Sequence, residues 1–85
     1  MNLFKQGHEK GILIKTYEFE DCPFIEFKLR YYLDQFVLWR YIPKADEWKK
    51  VQWIEVFLIK KSPEEWAEDY INQYRGIDDS TGQKD

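Results

Sequence analysis

The sequence has little of what metal centres and disulfides need. Its 85 residues contain one cysteine and one histidine. A single cysteine excludes an internal disulfide, so a reducing, cytoplasmic setting is expected. Metal sites and nucleophile–base pairs need several such side chains together. His8 is therefore interpreted as an exposed histidine in an arm without a clear pattern, and Cys22 as an ordinary small side chain before a turn. Because the chain also lacks a glycine-rich phosphate loop, we predict no enzyme, no cofactor and no metal.

Long apolar runs are also missing. No stretch approaches the roughly 20 apolar residues of a membrane-spanning helix. The first ten residues, MNLFKQGHEK, lack the apolar core of a signal peptide. We therefore expect no membrane association.

Aromatic residues, in contrast, are abundant: four Trp, six Tyr and six Phe. Each buried ring removes about 150–250 Å² from water, which helps a short chain without disulfides to become stable. A domain of this size has too small a core to hide all of these rings. Some of them are therefore expected on a surface that contacts a partner.

The clearest local pattern is the alternation in residues 24–33, FIEFKLRYYL. It puts Phe27 and Leu29 on one face of a strand and Lys28 and Arg30 on the other. Part of this stretch also fits helical spacing, but its aromatic content favours a strand that the rest of the sheet pairs with. A first strand is predicted at 12–20. Its apolar residues change parity, so either both of its faces are partly covered or a bulge near residues 15–16 resets the register. The other predicted elements are a turn at 21–23, a hairpin turn at 34–35, a strand at 36–42, a polar loop at 43–50 with an exposed Trp48, and a central or doubly covered strand at 51–59.

A capping signal at Ser62 predicts that a helix follows it. The serine is a typical N-cap, Pro63 suits the first helical position, and Glu65 completes a capping box. Gly76 is expected to end the helix. The predicted fold is α+β: an antiparallel meander of about four strands with one C-terminal helix packed on one face. The expected domain organisation is an N-terminal arm at 1–11, a single α+β domain at 12–76 and a disordered acidic tail at 77–85.

Two surfaces are candidates for protein binding. One helix stripe covers only one side of a sheet, so an apolar sheet face with Phe24, Tyr32 and Trp39 is expected to meet a partner or a second copy in a homodimer. The outer face of the helix is acidic, and it suits either a basic protein surface or plain solvent. Its residues are Glu64, Glu65, Glu68 and Asp69.

A third candidate surface mixes lysines with tryptophans. Lysines meet phosphates while rings stack on bases, so the mixture suits single-stranded nucleic acid. The alternative is a charged hairpin tip that keeps a sheet edge soluble. The order of four strands and a helix also resembles the topology of single-strand-binding proteins of the positive-cofactor type. The residues concerned are Lys44, Trp48, Lys49, Lys50 and Trp53.

Residues 15–40 resemble the sheet region of a small protein family carried by crenarchaeal viruses, which includes anti-CRISPR proteins. The resemblance implies a non-enzymatic viral or mobile-element inhibitor in the host cytoplasm. It would bind a host protein, with a CRISPR effector subunit as the suspected partner, and form a homodimer. The matching positions are Phe24-Ile25-Glu26-Phe27, Leu29, Tyr31-Tyr32 and Phe36-Val37-Leu38.

Overall fold

The computed structural model describes residues 7–75 and has one sheet and one long helix. The strands run in the order β1-β2-β3-β4, and each is antiparallel to the next. The predicted α+β meander with a C-terminal helix is therefore confirmed. The elements are β1 (Ile12–Glu18), β2 (Glu26–Tyr32), β3 (Gln35–Ile42), β4 (Glu47–Glu55) and α1 (Pro63–Arg75), with 3₁₀ turns at Gly7–Glu9 and Val56–Leu58.

Several sequence predictions fall outside the described residues. They concern the first six residues of the predicted arm, Gly76 as the end of the helix, and the predicted tail at 77–85. The remaining part of the predicted arm contains the 3₁₀ turn at Gly7–Glu9, which lies beside the sheet.

The β2 strand lies inside the sheet and divides its two faces as predicted. Phe27 and Leu29 are completely buried, whereas Lys28 and Arg30 lie on the opposite face. The α1 helix packs on the buried face through Ala67. We call the other side of the sheet, which α1 does not cover, the open face.

A bulge resets β1, as the sequence suggested, although it lies slightly earlier. The register shifts between Leu13 and Lys15, ahead of the predicted position at residues 15–16. With the extra residue, both Ile14 and Tyr17 contribute to the core beneath α1. The bulge thus explains why the apolar residues of this strand do not keep one parity.

The β2–β3 turn differs from the prediction by one residue. Leu33 and Asp34 are its central residues, with φ values of 51° and 62°, and Gln35 already belongs to β3. Positive φ at both central positions is the type I′ geometry that suits the twist of a tight hairpin. Tyr31 supports the turn by donating its hydroxyl to Asp34 Oδ1 at 3.1 Å.

The prediction for the fourth strand is wrong about its start, its end and its place in the sheet. The loop ends at Asp46 and β4 starts at Glu47, so Trp48 is a half-buried strand residue opposite Tyr41. The strand also ends at Glu55 and lies at the sheet edge, not at its centre. Charged residues such as Lys49 are typical of a loop. They also occur on edge strands, where they discourage pairing with another chain.

The helix begins as the capping signal predicted. Ser62 Oγ accepts the backbone N–H of Glu65 at 3.2 Å. Near the other end, Phe27 meets the ring of Tyr74 edge-on, with centroids 5.7 Å apart. Arg75 in the last turn forms an ion pair with Asp21 of the β1–β2 connection, with Nη2 2.5 Å from Oδ2. These contacts fix α1 over one face of the sheet.

Candidate functional site

The open face is aromatic, with cations near its middle and glutamates towards its ends. Side chains that pair across antiparallel strands share a face, so the register assigns each residue to a side. Lys28 pairs with Trp39, and Trp39 pairs in turn with Lys50. The face therefore alternates cations with rings. Its members are Leu13, Thr16 and Glu18 of β1, Glu26, Lys28, Arg30 and Tyr32 of β2, Gln35, Val37, Trp39 and Tyr41 of β3, and Trp48, Lys50, Trp53 and Glu55 of β4.

His8 covers part of this face and is largely buried, which corrects the prediction that it is exposed. Its imidazole stacks on Trp48 with centroids 5.3 Å apart and a 26° angle, and it meets Trp39 edge-on at 6.3 Å. The ammonium group of Lys28 lies 4.4 Å from the centre of the Trp48 ring. Trp48 is thus enclosed by the N-terminal turn, which corrects the prediction that it is exposed.

The surroundings of His8 favour a neutral imidazole. Burial lowers its pKa below the usual 6.5, and the nearby charge of Lys28 lowers it further. Glu9 acts in the opposite direction, with its carboxylate 3.9 Å from Nε2. The Nδ1 atom is buried and finds no hydrogen-bond partner among residues 7–75. A buried nitrogen of this kind would be costly to charge, so the His8–Trp48 contact is a stack of neutral rings at neutral pH.

A shallow groove of about 280 Å³ opens beside this cluster on the same face. Two lysines, Lys10 and Lys50, contribute to its wall, together with the rings of Tyr32 and Trp39. Val37 is almost fully buried and supplies an apolar floor. None of the lining residues within the described part of the chain is acidic. The others are Leu33 and Gln35.

The residues predicted for nucleic-acid binding are only partly brought together. Trp48, Lys50 and Trp53 share the open face, and the Lys50 ammonium lies 5.0 Å from the Trp53 ring centre. Lys49 pairs with Arg40 and so points to the helix side. Lys44 lies in the β3–β4 turn. The sequence pattern predicted a loop for Trp48, Lys49 and Lys50. In the structure they lie on β4, which divides the two lysines between the two faces of the sheet.

A second surface, which the sequence did not reveal, lies at one end of the sheet. The start of β1, the β2–β3 turn and the end of β4 meet there, because antiparallel strands bring alternate ends together. Leu33 is 74% exposed and Phe57 is 78% exposed. We call this surface the apolar end. Its residues are Ile12, Leu13, Leu33, Val56, Phe57 and Leu58, with Tyr32 and Trp53 adjoining on the open face.

The predicted apolar patch is split by the fold. Tyr32 and Trp39 share the open face, on neighbouring strands. Phe24 is exposed, but it precedes β2 and lies in the β1–β2 connection at the opposite end of the sheet from Leu33. The three residues therefore do not form one continuous patch.

The acidic residues of α1 are partly neutralised within the chain. The Asp69 carboxylate lies 2.5 Å from Nζ of Lys61, and the Glu68 carboxylate lies 3.9 Å from Nζ of Lys15. Glu65 is exposed near the N-cap, and Glu64 is half-buried. The predicted acidic helix face is consequently less free to bind a basic partner than the sequence suggested.

Comparison with protein-family models, with curated proteins and with solved structures gives no match for this chain. Among residues 7–75, no group of His, Cys, Asp or Glu side chains is arranged to hold a metal ion. No helix in the described part of the chain is long and apolar enough to cross a membrane. Two surfaces are therefore the candidates for function, the apolar end and the open face.

Proposed function

We propose that this protein is a non-enzymatic viral or mobile-element protein that binds and inhibits a host protein. The observation that carries the proposal is the apolar end. The resemblance of residues 15–40 to a crenarchaeal viral family with anti-CRISPR members supports a CRISPR effector subunit as the target.

The apolar end has the chemistry of a protein-docking surface. Single exposed apolar residues are common, but larger contiguous apolar patches on soluble domains mark interaction sites. Here Leu33 and Phe57 extend into solvent at the same end of the sheet, beside Leu58. A partner with a matching apolar pocket would remove these side chains from water. Each Å² of apolar surface buried in this way would stabilise the complex by about 25 cal/mol.

Binding at this end would inhibit by occupying a surface of the target. Such an inhibitor changes no bond, so each bound copy blocks one effector complex. As long as the inhibitor concentration stays above the dissociation constant, the amount of inhibitor needed would be proportional to the amount of effector. An inhibitor that modified its target would act at far lower ratios.

The direct experiment is inhibition of purified CRISPR effector complexes. Representatives of each effector type are mixed with increasing amounts of this protein, and cleavage of target nucleic acid is measured. We expect one type to lose activity at a ratio close to one inhibitor per binding site. Light scattering on the free protein tests the homodimer that the resemblance implies.

Two results would overturn the proposal. One is unchanged cleavage by every effector type at a large excess of the protein. The other is complete inhibition at ratios far below one copy per complex, which would indicate chemistry and not occupancy.

A further inference from the structure

We propose that the groove on the open face binds single-stranded nucleic acid, with a base against Tyr32 and Trp39 and the adjoining phosphates on Lys10 and Lys50. This site goes beyond the proposed function. It also differs from the surface predicted from the sequence, which centred on the loop around Trp48.

The aromatic side of the groove suits a nucleobase. Tyr32 and Trp39 lie on adjacent strands of the same face, and Val37 forms the floor beneath them. Tyr32 is 37% exposed, so its ring is open to a ligand. Stacking on such rings tolerates any base, because every base has a π-face. The groove therefore predicts binding with little sequence preference.

The cationic side of the groove suits phosphates. Lys10 and Lys50 both line it, and no acidic residue within 7–75 does. Beside it, Lys50 lies over the ring of Trp53, which is 54% exposed and offers a further stacking surface along the strand. The charge and shape of the groove thus suit one segment of a nucleic-acid backbone, and the aromatic rings lie where its bases would stack.

The acidic groups of the open face limit the length of the bound segment. Glu55 accepts a hydrogen bond from Gln35 Nε2 at 3.4 Å, next to the groove. Glu18 and Glu26 lie opposite each other at the far end of β1 and β2. These carboxylates would repel a backbone that continued along the face. The site therefore fits a few nucleotides, with two phosphates neutralised by lysine.

The test is the salt dependence of binding to a labelled oligothymidylate of about ten nucleotides, a length within the site sizes of single-strand-binding folds. Two neutralised phosphates predict that log K falls with log salt at a slope of about −1.4, because single strands give about 0.7 per phosphate. An oligouridylate of the same length shows whether the site distinguishes DNA from RNA.

The two neighbouring lysines of β4 provide a matched pair of variants. Lys50→Gln is expected to make the salt dependence shallower, changing the slope from about −1.4 to about −0.7, and to weaken binding to all sequences equally. Lys49→Gln removes the same charge from the opposite face, and it is expected to leave the affinity unchanged. Lys10→Gln is expected to behave as Lys50→Gln does.

Tyr32→Leu separates stacking from charge. We expect it to weaken binding about fivefold or more, as base stacking on an aromatic residue predicts, without changing the salt slope. Urea unfolding of this variant checks that the sheet remains intact.

Three outcomes would overturn the proposal. The first is no binding of the oligothymidylate at low salt. The second is an equal loss of affinity in Lys49→Gln and Lys50→Gln. The third is displacement by polyglutamate as effective as displacement by unlabelled oligothymidylate, which would assign the groove to acidic protein segments.

Discussion

The backbone N–H of Val56 donates a hydrogen bond of 2.9 Å to the carbonyl oxygen of Asp34. This bond joins the end of β4 to the β2–β3 turn, although the two residues are far apart in the chain. Leu33 and Phe57 each adjoin one of the bonded residues, so the bond brings two strongly exposed side chains to the same end. The apolar end is therefore a product of sheet topology.

Two leucines of one alternating stretch should differ sharply in their effect on stability. Leu29 is completely buried under α1, whereas Leu33 is 74% exposed. We expect Leu29→Ala to lower the free energy of unfolding by about 2–5 kcal/mol, the usual range for a buried leucine. Leu33→Ala should change it by less than about 0.5 kcal/mol. Urea denaturation followed by circular dichroism measures both, and equal losses would show that Leu33 is not exposed at the turn in solution.

Glu18 and Glu26 are directly opposite each other in the register of β1 and β2. Like charges in that position destabilise a sheet, so Glu26→Gln should raise the free energy of unfolding by about 0.2–1 kcal/mol. The gain should shrink in 1 M salt, where the Debye length is only about 3 Å. Glu47→Gln, on a residue that pairs with Ile42, is the matched control. A gain from Glu26→Gln that persists in high salt would argue against charge repulsion as its cause.

His8 should titrate at an unusually low pH. Burial and Lys28 lower its pKa in the folded protein below the value of 6.5 expected for the unfolded chain. Because the folded pKa is depressed, the stability that neutral His8 contributes is complete above pH 6.5 and is lost as pH falls through the folded pKa. The chain has one histidine, so its ring protons in an NMR titration report this site alone.

A variant separates this effect from other acid-sensitive groups. His8→Phe keeps a ring against Trp48 but cannot take up a proton. Between about pH 7.5 and pH 5.5, the range in which histidine changes charge, it should lose less stability than the natural protein. A ring-proton titration at or above pH 6.5 would mean that the stack on Trp48 is not maintained in solution.

The sequence predicted those parts of the fold that depend on local patterns. Alternation in β2 identified Phe27 and Leu29 as buried, because period-two spacing is a direct consequence of strand geometry. The Ser62 cap located the start of α1, because unpaired N–H groups at a helix start need an acceptor.

The errors arise where distant residues decide the outcome. Trp48 looked like a loop residue among lysines, but it is covered by His8, which lies forty residues earlier in the chain. Leu33 is a poor sequence signal for a type I′ turn, since a leucine at positive φ is uncommon. The apolar end combines residues from three separate segments, and no period along the chain connects them.

The most direct test of the proposed docking surface compares two exposed phenylalanines at opposite ends of the sheet. Phe57 belongs to the apolar end, and Phe24 lies in the β1–β2 connection. Affinity for the purified effector complex that the natural protein inhibits is measured for Phe57→Glu and Phe24→Glu. We predict a loss of at least about 30-fold for Phe57→Glu, as for a residue contributing 2 kcal/mol or more, and little change for Phe24→Glu. Unchanged affinity in Phe57→Glu, with a loss in Phe24→Glu, would contradict the assignment of the apolar end as the docking surface.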